Sequence, residues 1–179
     1  MDSVHITHIR DLLSFDEIEN VNTGLELLSI LSQEEPSLYN KVIYDPELIQ
    51  AMLKKSDLKI VQIGLDFLRH IIQTEPSFLH TLFPKEQDEQ WYSSEDHIQA
   101  PYVYIVLLAW RIKIGELSPS EVTTLEIPKK PSHILEEIPV DIQQLTHLKT
   151  LVIKNQPLSS LPEELFQLTD LENLTLHSL

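Results

Sequence analysis

The chain has 179 residues, 42% of them hydrophobic, which is enough for one large or two small domains with a real core. It has no cysteine, which excludes disulfides, thiolate catalysis and Cys-ligated zinc or iron–sulfur sites; with only three glycines it has no Gly-rich phosphate loop. The 28 Asp and Glu against 13 Lys and Arg leave a formal charge of −15. Such a surface repels phosphate, so neither nucleic acid nor an anionic membrane is an expected partner.

The opening MDSVHITHIRDLLSFDEIEN carries no basic-then-apolar leader, and a cytoplasmic location is the expectation. The longest apolar run, Tyr102 to Trp110, is far shorter than the ~20 residues that span a bilayer. His5 and His8 stand three apart, a spacing that on a helix brings two imidazoles together. No acidic third ligand is spaced with them, so neither a metal nor any other cofactor is expected.

Two stretches then repeat at an offset of 40 residues: GLELLSILSQEEPSLYNKV from Gly24 and GLDFLRHIIQTEPSFLHTL from Gly64. Gln33, Glu35, Pro36 and Ser37 match Gln73, Glu75, Pro76 and Ser77, and upstream Leu13 pairs with Leu53 and Val21 with Val61. Val21, Leu25, Leu28 and Leu31, like Val61, Leu65, Leu68 and Ile72, recur at helical spacing. Ser14 with Glu17 fits a capping box, and Asp45-Pro46 fits an N-cap followed by proline at the first helical position. Pro36 and Pro76 close one helix and open a short next one. A 40-residue unit of paired helices, over roughly residues 6–83, resembles armadillo or HEAT-type repeats; a helical bundle built by duplication is the alternative.

Residues 84–100, PKEQDEQWYSSEDHIQA, read as a polar connecting loop. Asp88, Glu89, Glu95 and Asp96 flank Trp91-Tyr92 there, but a glycosidase pair needs two carboxylates held on a rigid frame. The two rings either pack down and anchor the loop or stand out as binding anchors. PYVYIVLLAWRIKIGEL is apolar around most of its circumference and predicts a central buried helix ended by Gly115, with a β-branched strand as the alternative. Ser118 to Glu121 makes a turn.

A leucine ruler follows. LKTLVIKNQPLSSLPEELFQLTD places aliphatic residues at Leu148, Leu151, Ile153, Leu158, Leu161, Leu165 and Leu168, and after 23 residues the spacing restarts at Leu171 with LENLTLHSL. An irregular 26-residue copy, Val122 to His147, precedes it, with Val122, Leu125 and Ile127 and then Ile138-Pro139, Ile142 and Leu145. This pattern resembles the leucine-rich repeat family, in its LPxxLxxLxx variety, over residues 122–179. The resemblance implies stacked strands with inward leucines, none of which one repeat can bury alone. Gln156 departs from the pattern, standing where the family carries the asparagine that satisfies backbone groups as the chain leaves the strand.

The fold class expected is therefore α+β: an α-helical domain of helix-pair repeats over residues 1–117, capping a short leucine-rich repeat solenoid of parallel strands over 118–179. Alternation places Thr124 and Glu126 outward on the first strand, Thr150, Val152 and Lys154 on the second, and Asn173, Thr175 and His177 on the third. Those residues are the candidate partner-binding face of a non-catalytic protein–protein interaction module. The open third strand makes a homodimer through the C-terminal repeat edge a further expectation. Two other readings remain: the N-terminal cap of a longer repeat receptor or effector, and an enzyme using a cleft between the two parts, although no nucleophile turn such as GxSxG is present.

Overall fold

The structure is a computed structural model in which residues 3–177 are described. It is α+β: among the described residues, helices are followed by one small parallel sheet. The chain forms two compact units, residues 1–87 and 88–179.

The first unit holds α1 (Ser3–Leu13), α2 (Ile18–Glu34), α3 (Ser37–Ile43), α4 (Pro46–Leu53), α5 (Leu58–Thr74) and α6 (Ser77–Leu82). The bounds of α2 and α5 differ by the sequence offset at both ends, so the duplication is structural. Each copy has three helices, where the sequence pattern predicts a pair. The prolines explain the third. The Glu35 amide closes α2 on the Leu31 carbonyl at 2.9 Å, and the Glu75 amide closes α5 on that of Ile71 at 2.8 Å. Pro36 and Pro76 donate nothing, and a new turn starts as Leu38 N bonds Glu35 O and Phe78 N bonds Glu75 O.

The duplicated glycines have one shared purpose. A Cβ on Gly24 would lie 3.1 Å from the Cβ of Leu12, and one on Gly64 would lie 2.9 Å from the Cβ of Met52. Their absence lets α1 cross close to α2, and α4 close to α5. Caps differ between copies. Asp45 accepts from Glu47 N at 3.0 Å and Leu48 N at 3.1 Å, as its sequence predicts, and Asp57 accepts from Lys59 N at 2.8 Å. Glu17, at the place equivalent to Asp57, makes no side-chain cap bond. The expected Ser14–Glu17 box does not form, because the Ser14 hydroxyl donates to Asp11 O at the end of α1.

The second unit begins with α7 (Asp88–Ser93) and α8 (Ala100–Lys113). Residues 84–100 are thus more ordered than the loop their polarity predicts: a 3₁₀ turn, Lys85–Gln87, is followed by a helix. Helix α8 is buried on most sides, as its composition predicts, and ends at Gly115, whose φ of +82° suits glycine. The second unit starts at Asp88 and takes in α8, which packs against α7 and against the 3₁₀ segment Val140–Gln144. Trp110 Nε1 donates to Asp141 Oδ1 at 2.9 Å across that second contact.

Arg111 holds α7 in place. Its side chain is wholly buried; Nε and Nη2 donate to the two oxygens of Asp88 at 2.9 and 2.7 Å, and Nη1 donates to Glu116 at 2.7 Å. A guanidinium is suited to this double engagement because its donors are fixed in one plane.

Strands β1 (Thr124–Ile127), β2 (Thr150–Lys154) and β3 (Asn173–His177) pair in parallel in the order β1-β2-β3. Leu125, Leu151 and Leu174 form one rung, and Ile127, Ile153 and Leu176 the next. Leu125, Ile127, Leu151 and Ile153 are dry, each worth about 1.5–3 kcal/mol of burial. A 3₁₀ segment follows each of the first two strands, Val140–Gln144 and Glu163–Gln167, and the two segments pack together.

Candidate functional site

The outward side chains of the sheet form rows set by the register. Thr124, Thr150 and Asn173 make one row, Glu126, Val152 and Thr175 the next, and Lys154 pairs with His177 in a third. All eight residues expected on the face are brought together. β-Branched Thr124, Thr150, Val152 and Thr175 favour the extended backbone, while the leucines between them turn inward.

The strands are joined at their starts in the same way each time. Thr123 O accepts from Lys149 N and Thr150 N at 2.8 and 3.1 Å, and Lys149 O accepts from Glu172 N and Asn173 N, both at 2.9 Å. At the far end Asn155, with a positive φ of 52°, turns the chain out of β2 and donates its amide to His177 O. Lys154 is ion-paired to Glu126 across β1 and β2, and Lys149 lies 3.8 Å from Glu172. Both pairs are exposed, so they shape the charge of the face more than they stabilise the fold.

Gln156 stands just past the end of β2. It is buried, and its Oε1 accepts from Leu135 N at 2.8 Å while Nε2 donates to Pro128 O. The longer arm reaches from the end of β2 to two backbone groups of the preceding segment. An amide carries both a donor and an acceptor, so one side chain satisfies both.

The inward row becomes wet at its end. Leu174 and Leu176 are each 39% exposed, against 0% for Leu151 and 1% for Ile153. A pocket of about 290 Å³, lined by Ile153, Gln156, Leu158, Leu161, Leu176 and His177 among others, opens beside β3. Among the described residues no strand pairs with the outer edge of β3.

The other sequence candidates lie apart from this face. His5 and His8 are exposed on α1. Among the described residues, no group of three or more His, Asp or Glu side chains is placed to hold a metal ion. Trp91 and Tyr92 pack down: Trp91 stacks on His97 with ring centres 4.5 Å apart, and Tyr92 lies 4.8 Å from Tyr104 and 5.6 Å from His133. Lys130 sits over the Tyr92 ring at 4.9 Å. Burial, with the nearby Tyr104 second, pushes the Tyr92 phenol up to about 12. Asp88 is tied to Arg111, while Glu95 and Asp96 are exposed. Of the two readings of Trp91 and Tyr92, the rings take the one in which they pack down, whereas the Arg111 pair leaves no periodic trace in the sequence.

Comparison of the chain with protein-family models, with curated proteins and with solved structures gives no match.

Proposed function

We propose that the chain is a non-catalytic protein–protein interaction module of leucine-rich repeat type, and that the outward face of β1, β2 and β3 receives a protein partner. One observation carries this reading: the parallel register stacks Thr124, Thr150 and Asn173, then Glu126, Val152 and Thr175, into straight rows. Rows of this kind give an extended peptide or a protein edge a flat surface with hydroxyl, amide, carboxylate and ammonium groups at fixed spacing. The face is small beside a standard interface, so binding through it alone is of the transient kind.

A photo-crosslinking amino acid at Val152 tests the proposal against one at Phe166, which is 72% exposed on the 3₁₀ segment Glu163–Gln167. Discrete protein adducts are expected from Val152 and not from Phe166, and Thr150→Arg with Thr175→Arg removes them while leaving the fold intact by circular dichroism. Adducts equal at both positions, or unchanged by the two arginines, overturn it.

A further inference from the structure

A second recess lies in the helical unit, between its two copies. It has a volume of about 350 Å³, with Leu25, Leu28 and Phe67 as apolar walls and Ser29, Ser32 and Tyr39 as hydroxyl-bearing ones. Leu25, Ser29 and Ser32 share one face of α2 at helical spacing.

The duplication supplies an internal control. At the same offset α5 and α6 carry Arg69 for Ser29, Ile72 for Ser32 and Leu79 for Tyr39. Ile72 and Leu79 are buried, and Leu65 is 2% exposed where its counterpart Leu25 is only half-buried. The same helix face is thus filled with aliphatic bulk in one copy and hollowed out by two serines in the other. One of those serines is unsatisfied: the Ser32 hydroxyl is shut off from solvent and has no hydrogen-bond partner. A buried hydroxyl left in that state is costly, and rotation about its Cα–Cβ bond turns it into the recess, where a polar hydrogen would satisfy it.

We propose that this recess is a docking pocket for an aromatic side chain carrying a polar hydrogen, tryptophan or tyrosine, presented by a basic segment of a partner protein. The volume lies at the small end of ligand sites, which suits one anchoring side chain better than a cofactor. Tyr39 already meets Phe67 and His70 edge-on, with ring centres 6.3 and 5.3 Å apart, so a guest ring joins an existing aromatic cluster. Burial, then the charge of Asp66, raises the Tyr39 phenol, which keeps it a neutral hydrogen-bonding group on the wall. The basic character of the segment follows from charge. Residues 1–87 contain 14 acidic against 7 basic residues and Glu26 lies one turn from Ser29, while Asp66, next to Phe67, is already paired with Arg69. A second copy of this chain would bring like charge to the same place.

The test is a titration of the intact chain followed by amide chemical shifts. N-acetyl-tryptophanamide is expected to move the Ser29, Ser32, Gln33, Tyr39 and Phe67 signals with a Kd on the order of 1 mM. N-acetyl-phenylalaninamide, which has no ring donor, is expected to bind roughly 3–10-fold more weakly. A short peptide with one tryptophan between lysines is expected to bind about tenfold more tightly than the free amide, and the same peptide with glutamates more weakly. Ser32→Ile, the residue α5 carries at the equivalent place, fills the recess and abolishes these shifts; Ser29→Arg does the same by the second route should Ser32→Ile fail to fold. Ser32→Ala keeps the recess and levels the tryptophan and phenylalanine amides. Absence of localised shifts with N-acetyl-tryptophanamide, or their persistence in both filling variants, overturns the proposal. So does a free amide that binds as tightly as the lysine peptide, which would mark a small-molecule pocket, or equal binding of the lysine and glutamate peptides. The strand face of the other unit plays no part in these readings.

Discussion

The helical unit and the sheet unit both repeat, but different forces keep their copies in step. The strands are locked by backbone hydrogen bonds, so a rung is either in register or absent, and Leu125, Leu151 and Leu174 must fall on the same side. The helical copies meet through side chains, along α2 and α5 and along α1 and α4, and side-chain contacts tolerate divergence. Ser32 and Ile72 therefore occupy equivalent places with opposite effects, whereas no comparable exchange is found among the inward residues of β1 and β2. Backbone locking conserves a pattern; side-chain packing conserves a shape.

The largest expected effect tests whether the sheet unit depends on something outside its rungs. Arg111→Met strips the buried partner from Asp88 and Glu116 and leaves two carboxylates facing a dry helix end. Removing one member of a buried ion pair costs about 3–5 kcal/mol, so denaturant midpoints fall sharply and amide exchange of α7 rises. A loss below ~1 kcal/mol would mean that α8 and the rungs alone hold the unit. The next effect stays within one row. Leu151→Ala empties a dry site and is expected to cost about 2–5 kcal/mol, while Leu174→Ala, two-fifths exposed, costs less than half as much. Equal losses would show that the outer edge of β3 is covered in solution.

In the helical unit the same kind of contrast is smaller. Gly64→Ala brings a methyl to 2.9 Å from Met52 Cβ, and Gly24→Ala brings one to 3.1 Å from Leu12 Cβ. Alanine gains up to ~1 kcal/mol of helix propensity in either place, against an overpacking cost of about 1–3 kcal/mol. Gly64→Ala is expected to lose about 1–2 kcal/mol and Gly24→Ala less, measured by urea unfolding. The reverse order would show that the first copy is the tighter of the two.

Much of this architecture was legible in the residues. Matching Gly24 with Gly64 and Pro36 with Pro76 anticipates the duplicated helices; the uninterrupted apolar run around Val106 anticipates α8; alternation at Leu151 and Ile153 anticipates β2 and the outward residues beside them. Periodic burial leaves a periodic trace, and these elements are all periodic. Helix α7 was not legible, because Asp88 owes its place to Arg111, a partner 23 residues away that no spacing rule connects to it. The Gln156 side chain was read as a departure for the same reason: its partners are backbone groups, which carry no residue identity. The face itself follows from alternation, but its occupant does not, since outward residues owe nothing to the core.

The smallest effect concerns two tyrosines. Tyr92 and Tyr39 both have phenols raised by burial, Tyr92 to about 12, and one lies in each unit. A raised phenol means that the folded state holds its proton longer than the unfolded chain, whose tyrosines ionise near ~10. The stabilising contribution is therefore complete below the unfolded value and is lost as pH climbs from there toward about 12 for Tyr92. Tyr92 remains partly open to water, which screens the charge and keeps the loss small. In an alkaline titration followed by tyrosinate absorbance, Tyr92 is expected to ionise late, in step with unfolding of its unit. Tyr92→Phe keeps the ring contacts with Tyr104 and His133 and removes the titration, so its stability is expected to stay flat over that window where the wild type declines. A parallel decline in both proteins would place the alkaline sensitivity outside the Tyr92 phenol.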